Sequence, residues 1–381
     1  MTNKPTEPKP AEKKGSSIIA KLLALLIALV LMLALPASLL AFDLWRVVFN
    51  PPLIKALLTD EVVNSDLIPI ALEWFSDQRA QQRVASGEAL TGVDEPDIVL
   101  LMSFLDRDDW RAIKKEALTD EFLTHLVSVT VDGTYGWIDS AGRVPQITWD
   151  LKPFVERVNS EHGVNAITIA YDNLPPCKQE EIDDYLYRLS LVPPGTEILY
   201  NLCEFPDPWH EDQVTDYVNA LFAVVDNIPT EFALTEVLAG VADQGGVGPE
   251  ALKQQLRLIR LLGGIAWALP LVLVLLVVAL VVRSLPSLGR WLGVPLLVGG
   301  LIALLPALAY KYVITNVLAA GLLSETPDLI RPEVVRIIGR VADAIFQPLL
   351  IQAVVIVLVA VVLMVLQMLT DRKNPKPAKT A

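Results

Sequence analysis

The sequence is poor in the residues that most often carry chemistry. It has three histidines and two cysteines in 381 residues. The histidines, His125, His162 and His210, are scattered, and none has the paired spacing of a metal motif. The sequence also lacks a Gly-x-Ser-x-Gly nucleophile motif, a Walker loop and a dinucleotide fingerprint. We therefore predict no catalytic, cofactor-binding or metal-binding residue, and we expect that the protein is not an enzyme.

Three acidic clusters remain as candidates for a site, and each fits the start of a helix. They are Asp106 with Asp108 and Asp109; Glu180, Glu181, Asp183 and Asp184; and Glu211 and Asp212 beside His210. The first cluster lacks the glycine and the glutamate of a calcium loop. Carboxylates at a helix start are favoured by the helix dipole. His210 could act as a base or a metal ligand beside two carboxylates, but its position also fits helix capping.

Charged residues are missing from the cores of four long apolar stretches, which we place at 17–42, 261–282, 291–309 and 349–369. About 20 apolar residues cross a bilayer core of roughly 30 Å, so each stretch is long enough to span a membrane. In lipid each must be a helix, because a helix satisfies its own backbone hydrogen bonds. We therefore predict four transmembrane helices, one near the N-terminus and three near the C-terminus. The pair Gly299-Gly300 would allow close packing between them.

Basic residues predict how these helices are oriented. Lysines and arginines are concentrated in 1–16, in 370–381 and in the short loop that holds Arg283 and Arg290. Because cytoplasmic flanks collect basic residues, we expect both termini to be cytoplasmic, with 1–16 and 370–381 as disordered tails, and residues 43–258 to be extracytoplasmic. The expected location is a bacterial plasma membrane. The alternative for 17–42 is a cleaved signal peptide, although its apolar run is long for one and Leu35 does not suit cleavage after Ala37.

The block between the first two spans is acidic and carries both cysteines. Residues 42–258 contain 37 Asp and Glu against 15 Lys and Arg. Such a surface disfavours nucleic acid and suits cations, basic partners or simple solubility. Cys177 and Cys203 would meet an oxidising compartment outside the cytoplasm, so we predict that they form a disulfide. Two free thiols are the alternative.

The pattern of this block predicts an α+β domain with a helix-rich first part and a small mixed sheet in the second. We expect strands at 146–151, 165–171 and 197–202, a helix at 229–241, and a turn at Asp132-Gly133. Residues 245–248, Gly-Gly-Val-Gly, are expected to be a linker. A loop at 310–348 would follow the third span. Within it, 332–346 has the spacing of an amphipathic helix, and we expect Arg336 and Arg340 to face the acidic domain.

Two resemblances bear on these predictions. The order of one span, a large domain and three spans resembles the permease subunits of ABC-type efflux and division systems. The loop from Arg283 to Arg290 is, however, short for docking an ATPase. The stretch from Asp109-Trp110 through 147–151 to Pro175-Pro176-Cys177 resembles uncharacterised bacterial multi-span membrane proteins with a large extracytoplasmic domain, and that resemblance implies no activity.

Three functions remain open from the sequence alone. The first is a non-catalytic extracytoplasmic domain that binds a small ligand or a protein partner, or serves the cell envelope, on a lipid-embedded anchor. The second is a permease-like transport component, which would co-purify with an ATPase. The third is an extracytoplasmic hydrolase, which would need polar groups that converge in a concave site.

Overall fold

The fold is described from a computed structural model. It describes residues 18–86, 101–191, 202–243, 249–282, 284–321, 323 and 327–373. Residues 1–16 and 374–381 of the predicted tails, the third predicted strand up to residue 201 and the linker at 245–248 lie outside these ranges, whereas residues 370–373 of the predicted C-terminal tail are helical. The chain divides into two units. One, here the apolar unit, comprises Met1–Phe49, Leu258–Val313 and Ala342–Ala381, and the other, here the large unit, comprises Asn50–Arg257 and Ile314–Val341.

The elements follow in chain order. The helices are α1 (Ile18–Val48), α2 (Pro51–Asn64), α3 (Leu67–Ser86), α4 (Arg107–Ala117), α5 (Asp120–Asp139), α6 (Lys152–Val158), α7 (Glu161–Asp172), α8 (Gln179–Leu191), α9 (His210–Val225), α10 (Leu234–Asp243), α11 (Pro249–Ile265), α12 (Ala268–Val281), α13 (Leu285–Tyr312) and α14 (Arg331–Lys373). The strands are β1 (Thr148–Asp150) and β2 (Glu231–Ala233). A π-helical segment, Val313–Leu318, follows α13.

Four helices among the described residues are long and apolar enough to cross a membrane. They are Ile19–Val48 in α1, Glu250–Val281 in α11 and α12, Ser287–Leu318 in α13 and the π-helical segment, and Arg331–Thr370 in α14. Their length and composition suggest a multi-pass membrane protein. Within the apolar unit, α1 packs against α12 and α13 through buried Leu31, Leu35 and Val277. Many leucines and valines remain exposed on the other faces of these helices, as contact with lipid requires.

Close packing at Gly299-Gly300 is confirmed. A Cβ atom added at Gly299 would lie 2.9 Å from Leu35 Cδ2, and one added at Gly300 would lie 2.8 Å from Val357 Cγ2. Helix α13 therefore uses its two adjacent glycines to approach two different neighbours, one on α1 and one on α14. Larger residues at either position would push these helices apart.

The core of the large unit is helical. Side chains of α4, α7 and α9 meet around buried Trp110, Ile167 and Tyr171, together with Tyr217 and Val218. Helix α4 begins with a capping box, in which the Asp106 side chain accepts from the Asp109 backbone N–H and the Asp109 carboxylate accepts from the Asp106 N–H.

The sheet is smaller than the sequence predicts. Strand β1 falls inside the predicted strand 146–151, but it pairs antiparallel with β2, with Trp149 opposite Phe232. The predicted sheet was mixed, and the described residues contain only this two-stranded antiparallel sheet. The predicted helix 229–241 was therefore wrong at its start, because 231–233 is β2. The predicted turn at Asp132-Gly133 was also wrong, because both residues lie within α5.

The predicted strand at 165–171 was wrong, because this segment belongs to helix α7. Its β-branched residues favoured a strand. Its buried residues, however, are Ala166, Ile167, Ala170 and Tyr171, which recur at helical spacing. Ser160 caps the helix by accepting from the His162 N–H. Packing of one face against the core therefore outweighs the intrinsic preference of Ile167 to Ile169.

The start of α14 is held by acidic residues of α2. Arg340 Nε lies 2.7 Å from Glu61 Oε1, and Arg336 Nη2 lies 3.3 Å from Glu61 Oε2. Arg340 also pairs with Asp60. The expected pairing of Arg336 and Arg340 with acidic groups is therefore confirmed. Glu61 is only 2% exposed, so two guanidinium groups compensate a carboxylate that has left water.

Candidate metal centre

Three potential metal ligands converge in the large unit: Asp172, Glu204 and His210. Each offers one ligand atom, and the three atoms lie within 4.8 Å of one another. His210 Nε2 is 3.1 Å from Asp172 Oδ1. Asp172 is exposed, whereas Glu204 and His210 are partly buried. The cluster thus opens to solvent on the side of Asp172.

Each ligand comes from a different element. Asp172 is the last residue of α7, and His210 is the first residue of α9. Glu204 lies in the segment that returns towards the end of α7. Its N–H donates to the Pro175 carbonyl at 2.9 Å, and its own carbonyl accepts from the Cys177 N–H at 2.9 Å. The cluster therefore depends on three segments that are separated in sequence.

A disulfide fixes the segment that carries Glu204. Cys177 and Cys203 are bonded across a separation of 26 residues, as the sequence predicts. Cys203 is buried with Ile182, Tyr185 and Phe205. Because Glu204 directly follows Cys203, both the covalent bond and this small core restrict where its carboxylate can lie.

Tyr171 packs against the cluster from the protein core. Its side chain is fully buried, and its hydroxyl oxygen accepts from the Phe205 N–H at 3.0 Å. Its ring meets the His210 ring edge-on, with centroids 5.1 Å apart. Burial raises the pKa of Tyr171 far above its ordinary range, so the phenol stays neutral. One neutral side chain thus contacts both the segment after Cys203 and the ring of His210.

The acidic clusters expected from the sequence have other roles. Asp106 and Asp109 form the capping box of α4. The Glu181 carboxylate accepts from the Lys178 N–H at 2.7 Å, at the start of α8. His210 was the one histidine with a suggested role, but it pairs with Asp172 rather than with its neighbours Glu211 or Asp212.

The other two histidines lie elsewhere. His162 Nδ1 is 2.7 Å from Glu116 Oε2, and this bond to His162 lowers the pKa of the Glu116 carboxyl. His125 is exposed on α5. Neither belongs to the group of three ligands that includes His210. Asp172 and Glu204 were missed because no sequence spacing links them to His210. The nearest signal was the predicted disulfide, which would bring Glu204 close to residue 177.

A cavity lies between α2 and α4. Its volume is about 350 Å³, and it is lined by ten residues, among them Asp66, Arg111, Lys114 and Asp120. Lys114 Nζ donates to the carbonyls of Val63 at 2.6 Å and Val62 at 3.2 Å, and burial lowers its pKa. Arg111 Nε donates to Asp66 Oδ1 at 2.6 Å. These bonds connect α4 to the C-terminal end of α2 and the residues after it. Arg111 and Lys114 therefore already have hydrogen-bond partners within the protein.

Asp43 and Gln352 form a buried polar pair in the apolar unit. Asp43 is fully buried, and Gln352 Nε2 donates to its Oδ1 at 3.1 Å. Asp43 Oδ2 and Gln352 Oε1 have no hydrogen-bond partner among the described atoms. The pair joins α1 to α14.

Comparison with known proteins identifies no relative of this chain. No family model matches the sequence, no curated protein is similar to it in sequence, and no solved structure is similar to it in fold. The function must therefore be argued from the geometry described above.

Proposed function

We propose that this chain is a multi-pass plasma-membrane protein whose large unit lies outside the cytoplasm and binds a ligand or a protein partner without catalysis. The single observation that carries this proposal is the Cys177–Cys203 disulfide in the large unit. Disulfides persist in oxidising compartments and are rare in the cytosol. A disulfide in a unit attached to apolar helices therefore favours the extracytoplasmic side.

The distribution of charge supports the same orientation. Basic residues are concentrated in 1–16, in 370–381 and around Arg283 and Arg290, which are the segments that this orientation leaves in the cytoplasm. The acidic block at 42–258 then faces the other side. With the four candidate spans found among the described residues, both termini would lie on this cytoplasmic side.

Binding, rather than catalysis, is proposed because the polar groups of the large unit are arranged as structural pairs or as potential ligands. Arg111 and Lys114 are bonded within the cavity between α2 and α4. Asp172, Glu204 and His210 bring one oxygen or nitrogen atom each to within 4.8 Å of one another. The negative charge of the block favours a cationic ligand or a basic surface of a partner and disfavours nucleic acid.

The state of the cysteines in cells tests the proposal. Cells are quenched in acid to prevent thiol exchange, the protein is denatured and alkylated, and tryptic peptides are analysed by mass spectrometry. We expect the peptides of Cys177 and Cys203 to be recovered as a linked pair. Recovery of both cysteines in alkylated form would contradict the proposed compartment.

A further inference from the structure

We propose that Asp172, Glu204 and His210 form a binding site for one divalent first-row transition-metal ion, with Zn²⁺ as the ion that this ligand set suits. This inference names the ligand class of the large unit, and it rests on the proposed function only for the view that this unit binds a ligand.

The separations between the ligand atoms are close to those of a metal site. Zinc binds histidine nitrogen and carboxylate oxygen at about 2.0–2.2 Å, so two ligands of a tetrahedral ion lie roughly 3.4 Å apart. His210 Nε2 and Asp172 Oδ1 are already 3.1 Å apart, and no pair in the cluster exceeds 4.8 Å. Asp172 is exposed, so rotation of its side chain can bring the remaining pairs together. Three protein ligands leave a fourth position open on the solvent side.

The charges of the cluster favour the binding of a cation. Two carboxylates are held beside a single imidazole, which is uncharged unless it is protonated. Within the described part of the chain, the carboxylate of Glu204 forms no hydrogen bond or ion pair. Like charges at this distance repel one another, and a bound dication converts that repulsion into attraction.

The contacts around the cluster also favour a metal site, because they hold the ligand residues in place. The Cys177–Cys203 disulfide and the paired hydrogen bonds of Glu204 with Pro175 and Cys177 fix one ligand. The buried ring of Tyr171 packs against His210 and its hydroxyl accepts from the Phe205 N–H, so the positions of the other elements are linked to it. Ligands held by surrounding groups lose less entropy when they bind a metal.

The donor set selects the kind of ion. Calcium and magnesium prefer sites made of oxygen ligands, with six or more positions filled. One imidazole with two carboxylates suits zinc and its neighbours in the first transition series.

The test uses the full-length chain in detergent, purified without a histidine tag and freed of metal with a chelator. Zinc binding is measured by competition with a chromophoric chelator for the wild type and for His210→Ala and Glu204→Gln. His162→Ala is the matched control, because His162 also pairs with a carboxylate, at 2.7 Å from Glu116, but without a third ligand. We expect one zinc ion per chain, about 10-fold or greater loss of affinity in both site variants, and no change in the control.

A second measurement distinguishes loss of the metal site from misfolding of a variant. Co²⁺ replaces Zn²⁺ and gives visible absorption that reports a four-coordinate site. We expect this absorption in the wild type and in His162→Ala, and its loss in Glu204→Gln. Equal zinc affinity in the wild type and both site variants, or Ca²⁺ binding as tight as Zn²⁺ binding, would overturn the metal site. Such a failure would leave the proposed location of the large unit intact, since the disulfide analysis and topology measurements test that location separately.

Discussion

Gly163 lies where α7 comes closest to the end of α6, and replacing it with alanine should destabilise the large unit. A Cβ atom at this position would lie 1.8 Å from the Val158 carbonyl oxygen and 3.2 Å from Phe222 Cε1. The closer atom belongs to the backbone, so no rotation of a side chain can relieve the clash. An ordinary contact needs at least 3.4 Å, so α7 must move by about 1.6 Å.

The magnitude follows from two opposing effects. Forcing an extra methyl group into a packed junction costs about 3 kcal/mol. Alanine is favoured over glycine within a helix by roughly 1 kcal/mol. The expected net loss for Gly163→Ala is therefore about 2 kcal/mol. Gly136→Ala is the control, because a Cβ atom added there meets nothing within 4 Å, and it should be neutral or stabilise by about 0.5–1 kcal/mol.

Pulse proteolysis of the full-length protein in detergent, over a series of urea concentrations, measures these differences as shifts in midpoint. Gly163→Ala should shift the midpoint down, and Gly136→Ala should leave it in place or raise it. A midpoint for Gly163→Ala at or above that of the wild type would show that the contact between α6 and α7 is looser than described.

Three further changes test other parts of the large unit by the same assay. Replacing Cys177 and Cys203 with alanine should cost about 3.5 kcal/mol, from a closed loop of 26 residues, and a change under 1 kcal/mol would count against it. Glu61→Lys places a third cation against Arg336 and Arg340, so protease cleavage within 314–341 should increase, whereas Asp183→Lys on an exposed face should have no effect. Stability should also fall with acid. Hydrogen bonds from Asn64 to Asp60 and from Arg111 to Asp66 lower the pKa of each carboxyl in the folded state. Their contribution is complete above the ordinary carboxyl range and is lost as the pH falls below about 4. An unchanged midpoint between pH 6 and pH 3 would contradict these pairings.

Several features of the fold follow directly from local sequence. The four apolar helices could be predicted because a run of about 20 uncharged residues has few alternatives in water or lipid. The disulfide could be predicted because the chain offers only one pair of cysteines. The start of α4 could also be predicted, since the cluster of Asp106, Asp108 and Asp109 fits a helix start and Asp106 and Asp109 form its capping box.

The remaining features depend on contacts distant in sequence. Strand β1 was expected, but its partner lies about 80 residues later, directly before a helix, where local periodicity favours helix. The β-branched content of residues 165–171 predicts a strand, but the helical spacing of Ala166, Ile167 and Ala170 matches the helix that forms. The cluster of Asp172, Glu204 and His210 is irregular in spacing. Only the packing of α7 and α9, with the disulfide, brings these three residues together.

We propose that the large unit lies on the extracytoplasmic side of a membrane that the apolar helices cross. The most direct test is labelling of single introduced cysteines in intact cells with a membrane-impermeant maleimide. Glu156→Cys lies on an exposed position of α6, and Thr380→Cys lies in the C-terminal tail. The native cysteines are bonded to each other and should not react. We expect labelling at position 156 in intact cells, and at position 380 only after the membrane is permeabilised. Labelling at position 380 but not at position 156 in intact cells would contradict the account.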